Sequence, residues 1–285
     1  MREVDRSTVT RLRDGTELFV RDWSAAGTPW LRALIVHGVE DHSGRYRRVG
    51  QQYAANGIDV TAFDQRWSGR SGGPRGDAES WGQLLDDLEE RVEAAREAAA
   101  GLPIAIHGQS FGGLLVADYL LVGRPLPDLA VLSAPGLGDC LARWKHIAAP
   151  LLARIAPTMR LANGVDPASL ARDRRDEELF GPDPLRIGHS TARFGAAGFA
   201  AQARVSAAVR AVGAMPVRTL VIHGAADRLV PPSASEPFEG LGNTWRIVYP
   251  DLRHELHNEP DGPAVIADVV GWLRERTGER LAPAE

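Results

Sequence analysis

Short apolar runs recur along the chain at Ala33-Leu34-Ile35-Val36, Ile58–Phe63, Pro103-Ile104-Ala105-Ile106, Ala130-Val131-Leu132 and Thr219-Leu220-Val221-Ile222, and they alternate with stretches of helical spacing. Runs that are apolar at consecutive positions have no face for water, and strands of this kind lie in parallel sheets covered by helices on both sides. The alternation therefore predicts an α/β fold, with a mostly parallel central sheet flanked by helices. One helix is announced by Ser80 and Gln83, which match a capping box, and it carries Leu84, Leu85, Leu88, Val92 and Ala95 on one face. Another, over 263–276, buries Val265, Ile266, Val269, Val270 and Leu273 by the same spacing. Ahead of this pattern, 8–12 and 18–23 read as a β-hairpin about the turn pair Asp14-Gly15.

Between Ser133 and Thr219 the spacing breaks down, because a stretch of about 80 residues is far too long for an ordinary strand-to-helix connection. It must carry structure of its own. Trp144, Ile147, Leu151, Leu152 and Ile155 fall at helical intervals there, interrupted by Pro150 and ended by Pro157. The expected organisation is a core of 1–135 and 204–285 with a helical cap, or lid, inserted over 136–203.

The 285 residues carry a net charge of −4, which gives no electrostatic footing for nucleic acid and suits small or neutral ligands. A single cysteine, Cys140, cannot form an internal disulfide and is expected to pack as a small hydrophobe. The segment Met1-Arg2-Glu3-Val4-Asp5 mixes charges and lacks the apolar core of a secretory signal, and no run is long enough for a membrane span. A cytoplasmic location is expected, with peripheral membrane contact through the cap left open.

Chemistry enters at Gly108-Gln109-Ser110-Phe111-Gly112-Gly113, a G-x-S-x-G between an apolar strand and the apolar helix 114–121. This is the context of a nucleophile elbow, where glycines admit a strained turn that lifts the serine hydroxyl above the sheet. Serine is a weak nucleophile unaided, so the elbow calls for an acid and then a histidine further along. Asp227 in His223-Gly224-Ala225-Ala226-Asp227 follows a buried strand, and His254 follows the next strand, 245–248. Ser110, Asp227 and His254 are thus the expected triad. Asp251 is a minor rival for the acid, and His257 a serious rival for the base. His254-Glu255-Leu256-His257 lacks H-E-x-x-H spacing, so neither metal nor cofactor is expected. His107, His146, His189 and His223 read as structural or solvated. An oxyanion needs two N–H donors, expected from Phe111 and, in the His37-Gly38-Val39 loop, from Val39.

With these segments read, the chain resembles the monoacylglycerol lipase and lysophospholipase branch of the α/β-hydrolases, of serine aminopeptidase S33 type. His37-Gly38-Val39-Glu40-Asp41-His42-Ser43-Gly44-Arg45-Tyr46 looks like that family's H-G-x-x-E-H-S-G-R-Y block, and Gly224-Ala225-Ala226-Asp227-Arg228 like its G-x-x-D-x segment. The resemblance favours His254 over His257 as base and Val39 and Phe111 as oxyanion donors. It implies a polar cluster around the leaving alcohol at Asp41, Arg45 and His257, and an acyl-chain tunnel under the cap, to which Trp144 and Leu151 contribute. Two departures stand out. Asp41 replaces the family's glutamate, and Trp67-Ser68 interrupt its R-G-H-G-x-S.

The reading that follows is a serine carboxylic-ester hydrolase working through an acyl-enzyme, its favoured substrates, by resemblance, monoacylglycerols or similar lipophilic monoesters. A lysophospholipase, thioesterase or acyltransferase would use the same triad. A non-catalytic receptor on the same fold is the rival from another class, and it would ordinarily lack a triad member. Nothing in the sequence bears on oligomeric state.

Overall fold

The computed structural model describes residues 5–141, 143–172 and 181–278. The charged start 1–4 and parts of the expected cap, 142 and 173–180, lie outside the described residues, as does 279–285 of the expected core.

The expected hairpin forms from β1 (Arg6–Arg11) and β2 (Glu17–Trp23), closed by Asp14, whose Oδ1 accepts from the Thr16 N–H. It extends the parallel strands β3 (Leu31–Val36), β4 (Ile58–Phe63), β5 (Ile104–Gln109), β6 (Leu129–Ser133), β9 (Ala214–Gly224) and β10 (Gly242–Tyr249) into one eight-stranded sheet. The order is β1-β2-β4-β3-β5-β6-β9-β10, antiparallel at β1-β2-β4 and parallel beyond.

Two apolar cores lie on opposite faces of the sheet, as strands buried on both sides require. On one, α1 (Arg47–Ala55) and α6 (Gly262–Gly278) pack Val49, Tyr53, Val265, Ile266 and Val269 against Ile35, Val60 and Val131. On the other, α2 (Trp81–Ala99), α3 (Phe111–Leu121) and α5 (Ala192–Ala211) bring Leu84, Leu88, Leu115, Val116 and Val205 onto Leu34, Ile106 and Leu132. The capping at Ser80 is seen directly, its Oγ accepting from Gln83 N at 3.1 Å. Every apolar position assigned to α2 and α6 from spacing is buried.

The long connection from β6 to β9 carries α4 (Arg143–Ile155), with Pro150 inside it, a small antiparallel pair β7 (Arg160–Ala162) and β8 (His189–Thr191), and α5. The small sheet has no counterpart in the sequence pattern, because three-residue strands are too short to show a period. Helix α5 runs unbroken through position 203, so one helix belongs both to this connection and to the core beneath it. Cys140 departs from expectation: it is exposed, on the stretch leading to α4. Among the described residues no helix is long and apolar enough to cross a membrane.

Candidate active site

Parallel strands deliver their loops to one edge of the sheet, and the chain uses that edge four times. The loop after β3 brings 37–46, the turn after β5 brings Ser110, the loop after β9 brings Asp227 and that after β10 brings His254. Ser110 sits at φ 54° and ψ −117°, a backbone state that a residue with a Cβ rarely adopts. Its N–H donates to Ser133 O at 2.9 Å and its carbonyl accepts from Leu114 and Gly136, so the turn is held from both sides. Glycine is required next to it, since a Cβ on Gly112 would run into the Val36 carbonyl.

Asp227 and His254 meet at 2.7 Å, Oδ2 to Nδ1, with both side chains buried. The Asp227 Oδ1 accepts from the N–H groups of Leu229 (2.8 Å) and Val230 (3.0 Å). Burial pushes this carboxyl up, but hydrogen bonds from His223 and His254 outweigh it and hold the acid well below the usual carboxylate range. It is an anion wherever the fold is intact at ordinary pH. With His254 Nδ1–H donating to it, Nε2 is the nitrogen left to take a proton. Asp251 is exposed, and His257 is buried and stacked on Tyr46 with centroids 5.0 Å apart.

Ser110 and His254 line the same cavity, of about 470 Å³, together with Val39, Phe111, Asp41, Gln109 and Glu255. Its other walls are mostly apolar, among them Leu114, Leu152, Leu170, Phe194, Phe199 and Val230. Phe111 opens α3, where the first-turn N–H groups have no helical partner. Its ring is held edge-on by Trp67, Trp81 and Phe194 at centroid distances of 5.8, 5.4 and 5.5 Å. This gives Trp67, half of the Trp67-Ser68 departure, a place: it is a buried brace behind Phe111. Ser68, the other half, donates from Oγ to the Asp41 carbonyl.

The turn carrying Val39 is held as tightly. His37 accepts from Gln65 N at Nε2 (2.9 Å), so its Nδ1 carries the hydrogen given to Gly38 O at 2.8 Å. Burial pushes His37 down, in keeping with that neutral form. Tyr46 Oη accepts from Gly38 N and donates to Gln109 Oε1. Side chains tie the same loop to the connection between β6 and β9: Glu40 pairs with Arg186 at 3.3 Å, and His42, whose Nδ1 accepts from Gly44 N, donates from Nε2 to Asp183 at 2.7 Å.

At the polar end of the cavity, Arg45 Nε reaches Asp41 Oδ1 at 2.7 Å, so the shorter acid still makes the contact. The same guanidinium binds Glu255 at 3.0 Å. Burial pushes Glu255 up, but Arg45 and then His257 more than offset it, leaving the group below its ordinary value. Burial pushes His257 down, and its Nε2 is a buried atom with no partner. Sequence reasoning passed over Glu255 because His254-Glu255-Leu256-His257 was weighed for its two histidines, as rival bases and as a metal pair, although a carboxylate beside His254 in sequence is a signal of its own. Asp41 lines the cavity directly, whereas Arg45 and His257 stand behind it. Trp144 also lines it, but Leu151 does not: it lies on the outer side of α4, 61% exposed, and its neighbour Leu152 turns inward instead. No group of three or more His, Cys, Asp or Glu among the described residues is placed to hold a metal ion.

The family described as serine aminopeptidase, S33 matches residues 29–261. A monoacylglycerol lipase of Mycolicibacterium smegmatis is 30% identical over 91% of this chain and 93% of its own length. At 28% identity the chain also matches an abhydrolase domain-containing protein of Dictyostelium discoideum, spanning 92% of this chain but only 28% of that protein. Among solved structures, the monoacylglycerol lipase of Paleococcus ferrophilus superposes with a TM-score of 0.80 at 26% identity, covering 91% of this chain and 99% of that one.

Proposed function

The chain belongs to the serine aminopeptidase S33 family of α/β-hydrolases, in its monoacylglycerol lipase-like branch, and is a carboxylic ester hydrolase; from this premise we propose that it cleaves lipophilic monoesters, monoacylglycerols foremost, through an acyl-enzyme on Ser110. The observation that carries the reading is the 2.7 Å contact of Asp227 with His254 at a largely apolar cavity that Ser110 also lines.

In the proposed reaction His254 Nε2 takes the Ser110 proton as Oγ bonds to the ester carbonyl, and Asp227 stabilises the imidazolium. The oxyanion is held by the N–H groups of Val39 and Phe111, whose rigid settings cost no reorganisation during the reaction. Collapse breaks the bond to the alcohol, which leaves with the proton from His254. Water, deprotonated by the same nitrogen, then releases the acid and restores Ser110.

The polar end of the cavity supports a neutral leaving alcohol over a phosphate-bearing one. Two buried carboxylates, Asp41 and Glu255, face one guanidinium, Arg45, so a phosphate would meet an excess of negative charge in a poorly solvated place. Asp139 and Lys145, also on the wall, are of opposite sign. In our reading 136–203 act as the cap over the acyl chain. The outer face of α4, with Ile147, Leu151 and Ile155 each more than half exposed, suits contact with a lipid surface.

The test is hydrolysis of p-nitrophenyl esters from short to long chain, and of 1-monoacylglycerols, by wild type, Ser110→Ala and His254→Ala. Both variants are expected to lose at least roughly 10³-fold in rate, and a fluorophosphonate should label wild type but not Ser110→Ala. Undiminished turnover by Ser110→Ala would overturn the reading.

A further inference from the structure

His223, the penultimate residue of β9, is fully buried, and its Nε2 lies 3.3 Å from Asp227 Oδ2, the same oxygen that receives His254. The same nitrogen is 3.1 Å from the Val230 carbonyl oxygen. Both neighbours are acceptors, so Nε2 carries a hydrogen. On the far side of the ring Nδ1 is 2.9 Å from Ser235 Oγ, and Ser235 Oγ accepts from Arg246 Nε at 2.9 Å. Arginine can only donate, so the one Ser235 hydrogen is divided between Nδ1 and Pro232 O, which lies 3.0 Å away and also accepts from Arg246 Nη2 at 2.9 Å.

We infer that His223 is a positioning residue for the catalytic acid: its Nε2–H holds Asp227 Oδ2 so that the remaining lone pair of that oxygen faces His254 Nδ1. The inference rests on the triad reading above. Leu229 and Val230 donate to Oδ1 and His254 to Oδ2, and the His223 Nε2–H, shared with the Val230 carbonyl, lies beside Oδ2 as a fourth contact, so both oxygens of the Asp227 carboxylate are held. A carboxylate so fixed keeps the base in one tautomer and one orientation, which the proton transfer from Ser110 requires. Arg246 and Ser235, on neighbouring parts of the fold, extend the chain of donors outward and set the histidine in turn. No cavity-lining atom belongs to His223, so it acts through Asp227 and not on substrate.

The experiment compares wild type with His223→Leu, His223→Gln and Ser235→Ala, using Ser110→Ala as the reference for the triad reading. His223→Leu keeps bulk but removes the donor, and kcat for a soluble p-nitrophenyl ester should fall about tenfold with KM unchanged, as loss of one hydrogen bond to a charged group allows. His223→Gln, which can donate an amide N–H from nearly the same place, should recover most of that loss. The low-field proton NMR resonance of His254 Nδ1–H should move in His223→Leu and return toward its position in His223→Gln. Ser235→Ala removes almost no volume, and should lower kcat about threefold by the same argument, which covers the case of a leucine variant that does not fold. Equal kcat in the leucine and glutamine variants, or Ser235→Ala with unchanged kcat and unchanged resonance, would overturn the inference. Full activity in Ser110→Ala would remove it together with the triad, a result distinguishable because it is independent of position 223.

Discussion

Charge is distributed unevenly among the residues of the site, and the distribution has a consequence for selectivity. Arg45 is shared between Asp41 and Glu255, and Glu255 remains ionised because the guanidinium outweighs its burial. Replacing it by the isosteric amide keeps the shape while removing the excess negative charge. Glu255→Gln is therefore expected to raise kcat/KM for a 1-acylglycerol phosphate relative to the matching monoacylglycerol by about tenfold, since like charges brought together in such a place oppose binding by several kcal/mol. Measurement of both substrates under one set of conditions decides it, and an unchanged ratio would mean that the head group lies elsewhere. The strain at Ser110 belongs to the same scale. A φ of 54° on a non-glycine residue persists only because Gly112 lets α3 approach Val36 and because three backbone hydrogen bonds hold the turn.

Among the elements, α4 breaks the usual rule that an amphipathic helix buries its apolar face. Trp144, Ile147, Leu151 and Ile155 follow one another at spacings of three and four and are 65, 78, 61 and 73% exposed. Ala148 and Leu152, on the adjoining side, line the cavity together with Trp144 at the boundary. The apolar surface of the helix thus turns partly toward the cavity and partly toward solvent. The double variant Ile147→Ser/Ile155→Ser, which touches no cavity-lining residue, should lower the rate on monoacylglycerol presented in vesicles severalfold, by loss of buried apolar area. Its rate on a short, soluble ester should stay as in wild type. Equal loss on both substrates would assign the stripe to the stability of this helix instead. Helix α5 does the opposite work: Arg193 pairs with the buried Asp77 and Arg204 with Asp118, which fasten it to the core.

Over the whole molecule, buried histidines set the response to acid. His37, His107 and His257 are all buried and pushed down by desolvation, His107 to about 3. A histidine whose folded value lies below its unfolded value near 6.5 binds protons more readily in the unfolded chain. The stability tied to it is complete above about pH 6.5 and falls as pH drops toward the folded value. For His107 alone the loss from pH 7 to pH 5 comes to about 2 kcal/mol. The depressed carboxyls Asp227 and Glu255 act in the same direction, but only once pH falls below the unfolded carboxylate range. Urea denaturation of wild type at pH 7 and pH 5 should show this decline, and His107→Gln should make it shallower. A stability that stays level between the two pH values would contradict a neutral, buried His107.

Much of this was legible along the chain because the signals are local. Consecutive apolar residues declare strands buried on both faces, and β4 and the apolar faces of α2 and α6 lie where the spacing puts them. The elbow shows in the sequence because only glycine tolerates the contacts its turn imposes. The acid and base segments show because strand order along the chain sets the order of loops at the sheet edge. Contacts across long separations left no such mark. Glu255 meets Arg45 across 210 positions, and Leu151 and Leu152 both fall at helical intervals yet of the two only Leu152 meets the cavity. His223 reads as one buried histidine among several until β9 and β10 bring Asp227, Ser235 and Arg246 around it. Periodicity records which residues leave water, whereas partners, and the side of a helix that meets a cavity, are decided only when distant elements pack. The sequence by itself therefore determined the sheet, the elbow and the order of the segments that carry Ser110, Asp227 and His254, and tertiary packing alone decided the charge at the polar end of the cavity and the second histidine beside Asp227.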